Sequence, residues 1–279
     1  MYLSHFGLGT FPFGITPDTE FVFSTTAHQE AFNALMVATE NGEGFIKITG
    51  EVGTGKTLLC RRYLNALAGT QAITAYLPNP QLEPRPLLLS IAEELGIDLV
   101  QYDYQFHLVK LLNEALLEHA KAGRRVIVCL DEAQAIPIAT LDYLRLLSNL
   151  ETEKVKLMQV VLFGQPELDT NLAQESIRQL RQRIITEYRL TGLTRNEVGH
   201  YLAHRARVAG YRGNGELFDK NAVRRLHKAS EGVPRVLNIL AHKALLAAFG
   251  DGRQAVHGQH VLLAAQDSAK IARRIGWWS

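Results

Sequence analysis

Apolar positions in the first two thirds of the chain alternate between short continuous runs and stretches of helical spacing. In "GFIKIT", Phe45, Ile46 and Ile48 form a β-rich run that ends at Thr49. In the following "LLCRRYLNALAG", Leu58, Leu59, Tyr63 and Leu67 recur at helical spacing, and Gly69 supplies a stop. "AITAYLP" reads as a second strand, and helical spacing returns around Leu87–Leu95 and Phe106–Ala122. Val126 to Leu130 in "RRVIVCLDE" are continuously apolar, as in a strand buried on both faces. "TLDYLRLLSNL" sets Leu141, Leu144, Leu147 and Leu150 on a helical stripe. "KLMQVVLFG" reads as a fourth strand and "TEYRL" as a short fifth. This alternation predicts an α/β fold, a parallel sheet flanked by helices on both faces.

The pattern changes at Gly192, after which only helical spacing is found. "LTRNEVGHYLAHRARVAG" opens with Thr194 and has Glu197 three places on, a capping box. "DKNAVRRLHKASEG" begins at Asp219 and stops at Gly232. "VPRVLNILAHKALLAAFG" puts Pro234 at a first helical position, and a last helix begins around Gly258–Gln259. The expected division is therefore an α/β domain over residues 1–191 and a small all-helical domain over 192–279.

Composition adds bounds to this picture. At 279 residues and 47% hydrophobic, the chain can bury the core of one large domain, or of one domain plus a smaller one. The net charge of +2, with Lys and Arg spread along the chain, does not by itself indicate nucleic acid. Cys60 and Cys129, on a predicted helix and strand, have no metal spacing and read as small buried residues of a reducing compartment. "MYLSHFGLG" lacks the basic and apolar regions of a signal peptide, and runs such as "VIVCL" are too short to span a bilayer. The expected location is cytoplasmic with no direct membrane span, and any membrane role would go through a partner.

Chemistry enters with "GEVGTGKT", Gly50, Glu51, Val52, Gly53, Thr54, Gly55, Lys56 and Thr57, followed by Leu58. This pattern arises by chance in roughly 1% of chains of this length. Here it also follows a predicted strand and opens a predicted helix, the context its chemistry requires. Glycines let successive N–H groups converge on one point, and the helix N-terminus adds positive potential. Lys56 is placed to meet β- and γ-phosphates and the Thr57 hydroxyl to ligate Mg²⁺.

The strand "VIVCLDE" supplies the second half of a hydrolytic site. Asp131 stands at its carboxyl end, where it would hold Mg²⁺, and Glu132 is next in line to polarise a water. The complete strand between the two motifs, with Glu after Asp, matches nucleotide hydrolases that carry their own glutamate. Gln165 ends the fourth strand in "LFGQPEL", where its amide could meet a γ-phosphate or a water. Arg235, in "GVPR" near a helix start, could reach phosphates. Arg178, Arg181 and Arg183 in "SIRQLRQRI" could serve a neighbouring subunit or simply form a solvated helix end.

With these residues in place, the chain resembles the ExeA/GspA family of AAA+ ATPases, on the side that serves MSHA pilus biogenesis. The resemblance rests on "YLSHFGLGTFPFGITPDTEFVF", "GEVGTGKT", "LDEAQ", "LFGQPEL", "LRQRI" and "EGVPRVLN", and spans essentially the whole chain. It implies a P-loop AAA+ fold with a helical lid, and Mg-ATP hydrolysis. It also implies a homo-oligomer, ring or filament, and support of an MSHA-type (type IV) pilus or related secretion machinery through an inner-membrane component. In residue terms it implies that Phe6–Phe13, with Pro12 and Phe13, lie near the adenine. Gln165 and Arg235 would act as sensors 1 and 2, with Arg183, or else Arg181, as the finger. Secretion members continue into a membrane helix and a peptidoglycan-binding domain. This chain stops at "IARRIGWWS", so direct wall binding is not expected, while Trp277 and Trp278 suggest a contact surface. Two other classes share the motifs: a DNA-associated regulator of transposition, which needs a basic stripe, and a nucleotide-gated scaffold without turnover, against which Glu132 argues.

Overall fold

The computed structural model describes residues 2–14, 21, 23–97, 105–147, 156–213 and 215–275; Leu150, Trp277 and Trp278 lie outside them. The chain opens with a one-turn helix, α1 (Tyr2–His5), then α2 (Thr26–Glu40), β1 (Phe45–Gly50), α3 (Lys56–Leu67) and β2 (Ala72–Leu77). Next come α4 (Pro84–Glu94), α5 (Gln105–Lys121), β3 (Arg125–Leu130), α6 (Ile138–Leu147) and β4 (Met158–Gly164). After α7 (Glu167–Leu172), α8 (Arg178–Arg181) and β5 (Ile184–Leu190), the remaining elements are helices: α9 (Arg195–Val208), α10 (Lys220–Ser230), α11 (Pro234–Gly250) and α12 (Gly258–Ile275). The residues divide into two compact units. One is Ala27–Glu51 with Gly55–Leu190; the other is Met1–Thr26, Val52–Thr54 and Thr191–Ser279.

The first unit is the predicted α/β sandwich. Its strands are all parallel, in the order β2-β3-β4-β1-β5. Strand side chains alternate between two faces, and each face has its own core. Val126, Val128, Leu130, Val160 and Leu162 pack with Leu87, Ile91, Leu108, Leu112, Leu141 and Leu144 from α4, α5 and α6. Ile46, Ile48, Ile127, Cys129, Val161 and Phe163 face the other way, against Leu59, Cys60 and Tyr63 of α3 and Ala31, Leu35 and Ala38 of α2. This two-sided burial explains why β3 and β4 are apolar without alternation. Lys47 of β1 is held between Asp169 (2.6 Å) and Glu187 (2.7 Å), tying α7 and the edge strand β5 to β1. Helix α2 is not among the elements expected from the sequence. Its fully buried residues are Ala31, Leu35, Ala38 and Thr39, with Phe32 and Met36 partly buried against the same core.

The second unit is built on α9–α12 and differs from the expected division in two segments, Met1–Thr26 and Val52–Thr54. The N-terminal residues placed with the α/β domain instead pack into the helical core. Tyr2, Phe6, Leu8, Phe13 and Phe21 are buried with Leu202, Leu226, Leu237 and Leu245. The Tyr2 hydroxyl meets His242 Nδ1 at 2.9 Å, and the Arg205 guanidinium donates to the Pro12 carbonyl. The capping box forms as predicted. The Thr194 N–H donates to Glu197 (2.9 Å) and the Glu197 N–H to Thr194 Oγ1 (3.4 Å). The second oxygen of Glu197 accepts from the Thr26 N–H at 3.2 Å, so one carboxylate caps α9 and fastens the end of the N-terminal segment.

Candidate functional site

In the α/β unit, parallel strands bring β1, β3 and β4 to the same edge of the sheet with their carboxyl ends, where α/β folds bind ligands. The "GEVGTGKT" loop leaves β1 at Gly50 and enters α3 at Lys56. Gly55 holds φ at +99°, and an added Cβ would stand 2.7 Å from His28 Nε2 of α2, so both backbone and space require glycine. Lys56 is buried, at 5% exposure. Its ammonium donates to the carbonyls of Gly50 (2.7 Å) and Glu51 (3.1 Å). Burial pushes its pKa down, against the opposing pull of Glu132 and Asp131.

Asp131 directly follows β3 and is 2% exposed. Its Oδ2 accepts from Thr57 Oγ1 at 2.7 Å and from the Tyr76 hydroxyl at 3.3 Å, and its Oδ1 from the Glu132 N–H at 3.0 Å. The two predicted metal-side residues are thus in direct contact, 74 positions apart in sequence. Tyr76, on β2, is a member of the site that the sequence did not single out; its phenol is pushed up to about 12, chiefly by burial, and stays a donor at neutral pH.

Glu132 takes a left-handed backbone, φ 52° and ψ 38°, one of two non-glycine positive-φ positions among the described residues. A bulky side chain rarely adopts this conformation without compensation. Its Oε2 accepts from Gln134 Nε2 (2.7 Å) and Gln165 Nε2 (3.1 Å). Burial alone would raise its pKa; the two amides and the Lys56 charge outweigh burial and hold it below the usual carboxylate range. Gln165, at the end of β4, is therefore beside Glu132. Gln134 is missed by sequence reasoning: a polar residue in "LDEAQ" is visible, but which way its amide faces is not.

The loop residues fit a phosphate. A cradle closed to any Cβ at Gly55 and a buried ammonium resting on backbone carbonyls suit an anion, and Thr57 with Asp131 suits a hard cation. Among the described residues no cluster of three or more His, Cys, Asp or Glu is present.

Arg181 ends α8, and Arg183 precedes β5, whose first residue, Ile184, pairs with Phe45 at the start of β1. Arg183 thus stands at the opposite end of the sheet from the loop, roughly 16 Å along β1 at about 3.3 Å per residue, while the Arg181 charge acts on Glu187 of β5. Arg183 is half-buried and donates to the Arg145 carbonyl at 3.3 Å, whereas Arg181 is exposed. In the helical unit, which includes Val52–Thr54, Arg235 is the second residue of α11. Its N–H donates to the Gly53 carbonyl at 3.4 Å, and its Cβ would lie 2.4 Å from a Cβ on Gly53. Phe13 is 2% exposed, with its ring edge-on to Phe218, so it serves the core of this unit.

Lys and Arg are not evenly spread, contrary to the expectation from the sequence. Residues 192–279 hold 14 Lys and Arg against 6 Asp and Glu, a formal +8, which leaves −6 for residues 1–191. A groove of about 950 Å³ between α9 and α10 carries part of this charge at Arg195, Arg207 and Lys220.

Comparison with known proteins accords with this geometry. The model of the AAA domain matches residues 39–172. General secretion pathway protein A of Aeromonas hydrophila is 40% identical over 280 residues, covering 100% of this chain and 50% of that protein. The chain thus spans about half the length of this curated relative. Among solved structures, Cdc6p of Pyrobaculum aerophilum superposes with a TM-score of 0.61 at 17% identity, over 86% of this chain and 68% of that one. ORC1 of Aeropyrum pernix, solved in complex with DNA, gives 0.59 at 21%, over 93% and 69%. At such identities these structures speak for the fold, which is that of a P-loop AAA protein.

Proposed function

We propose that this AAA protein, related over its whole length to General secretion pathway protein A, binds and hydrolyses Mg-ATP to drive assembly of a secretion or pilus machine. The observation that carries the reading is the convergence, at one sheet edge, of Lys56, the Thr57–Asp131 pair and a Glu132 carboxylate kept ionised. Lys56 would leave the carbonyls of Gly50 and Glu51 for the β- and γ-phosphates, while the loop N–H groups hold the phosphate oxygens. Thr57 and Asp131 would hold Mg²⁺, which neutralises charge on the transferring phosphoryl group. Glu132 would accept the proton of the attacking water, with Gln165 beside it to orient that water or sense the γ-phosphate. Arg235, and Pro12 and Phe13 near the base, remain the candidates contributed by the helical unit.

The same geometry supports homo-oligomerisation. Arg183 stands at the far end of the sheet from its own loop, with Arg181 just before it, so either of them, acting in catalysis, would serve a neighbouring subunit. Arg181 is the better candidate, reversing the sequence-based preference, because the Arg183 guanidinium is bound to its own chain. The 40% relative favours secretion over DNA work, since the DNA-associated neighbours share only the fold. No helix among the described residues is long and apolar enough to cross a membrane. From the resemblance to the secretion relative, our reading has the protein on the cytoplasmic side, acting through an inner-membrane component, in MSHA-type pilus biogenesis or a kindred secretion system. Phosphate release from Mg-ATP tests the core of the reading. Glu132→Gln should lower turnover by about 10²–10⁴-fold while a fluorescent ATP analogue still binds. Turnover at the parent rate would assign the base to another residue.

A further inference from the structure

We propose that Gln134 is a positioning residue for the hydrolytic step, setting the Glu132 carboxylate and the end of β4 in register through its one side-chain amide. The proposal rests on the ATPase reading above and adds a residue to it. Gln134 lies in the short 3₁₀ turn Ala133–Ala135 that follows Glu132. Its Nε2 donates to Glu132 Oε2 at 2.7 Å, and its Oε1 accepts the backbone N–H of Gln165 at 2.9 Å. A backbone N–H can only donate, so the amide can face only one way, with its NH₂ group toward the carboxylate. Gln165 closes the ring by donating its own Nε2 to the same oxygen at 3.1 Å. The turn itself is pinned from the far side, where Asn171 Nδ2 of α7 donates to the Gln134 carbonyl at 3.0 Å.

Two features mark this ring as built for position. Glu132 is held at positive φ, so local backbone preference does not keep its side chain in place; the amide partners must. Gly164, the last residue of β4, has no room for a side chain. An added Cβ would lie 2.7 Å from Leu168 and 3.4 Å from Gln134 Oε1, so glycine here lets the strand end approach the amide. Loss of the Gln134 amide would release Glu132 from its shortest side-chain hydrogen bond and leave the Gln165 N–H without its acceptor. Binding would survive, because the Gln134 side chain bonds to Glu132 and Gln165 rather than to Lys56, Thr57 or Asp131.

The test compares Gln134→Met and Gln134→Glu with the parent full chain. Methionine keeps bulk and loses both bonds. Glutamate keeps the acceptor for the Gln165 N–H but presents a second carboxylate to Glu132. Both variants should show kcat reduced by about 10- to 100-fold, the scale of a misplaced catalytic group. KM, the affinity for a fluorescent ATP analogue and the thermal midpoint should stay near parent values. The decisive measurement is a double-mutant cycle: on a Glu132→Gln background, Gln134→Met should lower the residual rate no further, since a positioning residue has nothing left to position. An equal loss on both backgrounds, a loss of kcat that tracks a loss of thermal stability, or parent-like turnover in either variant would overturn the proposal. A parent protein that binds ATP but releases no phosphate would overturn the ATPase reading and this inference together. An active parent with indifferent Gln134 variants would overturn this inference alone.

Discussion

Replacing Lys56 with methionine should separate stability from binding, moving them in different directions. The ammonium is 5% exposed, and its depressed pKa means that the folded protein disfavours the charge relative to water. For a lysine whose folded pKa lies below the unfolded value of about 10.4, the penalty is fully present below the folded pKa and is relieved as pH rises from there to the unfolded value. Two charge-assisted bonds to the carbonyls of Gly50 and Glu51 contribute about 1.5–3 kcal/mol each. Desolvating the ammonium costs several kcal/mol, so the terms nearly cancel, with the balance slightly against the charge. Lys56→Met has similar bulk, and it should leave the thermal midpoint unchanged or raise it by a few degrees. Binding should respond differently. Removing one partner of a buried, hydrogen-bonded charge pair costs about 2–5 kcal/mol, a loss in ATP affinity of roughly 30- to 4000-fold. Thermal melts without nucleotide and titration of a fluorescent ATP analogue read the two quantities on the same sample. A sharply lowered midpoint would show that the lysine is a structural keystone. Unchanged affinity would remove the phosphate cradle from the account.

Two further outcomes follow from the same structure. Arg181→Ala should bind ATP normally and hydrolyse it poorly, and mixing it with Glu132→Gln should restore part of the activity at interfaces that carry both intact residues. If mixing restores nothing and activity per subunit is independent of concentration, the site is not shared. In the helical unit, Asp219 caps α10 through the Ala222 N–H and meets His257 Nδ1 at 2.7 Å. Burial works to raise its pKa, but these partners prevail and depress it. Its contribution should therefore be present above the unfolded value of about 3.9 and be lost as pH falls through the lower folded value. Asp219→Ala should cost about 1 kcal/mol at pH 7, read by denaturant melts, and the difference from the parent should vanish in acid. A pH-independent difference would exclude the carboxylate as its source.

Much of the candidate site was legible in the sequence because each of its parts is a contiguous motif. "GEVGTGKT" between a β-rich run and a helical stripe prescribes a turn and a helix start, and "VIVCLDE" puts Asp131 at a strand end; spacing alone carries that information. Continuous apolar runs announced a sheet covered on both faces, and Thr194 with Glu197 announced the start of α9. Other features depended on groups far apart in the chain. Helix α2 covers one face of the sheet with Ala31, Leu35 and Ala38, flanked by Phe32 and Met36, and only its packing in one core with Tyr63 and Ile48 gives it that place. The aromatic N-terminal segment belongs with the helices because their core has room for Tyr2, Phe6 and Phe13, which no local pattern reveals. Arg181 and Arg183 differ by two positions in sequence, yet packing leaves Arg181 exposed and half-buries Arg183 against the Arg145 carbonyl. The orientation of Gln134 depends on the Gln165 N–H, which stands at the end of a different strand. Spacing sets which backbone a segment can form; which polar groups finally meet is settled when separate segments pack and each buried donor must find an acceptor.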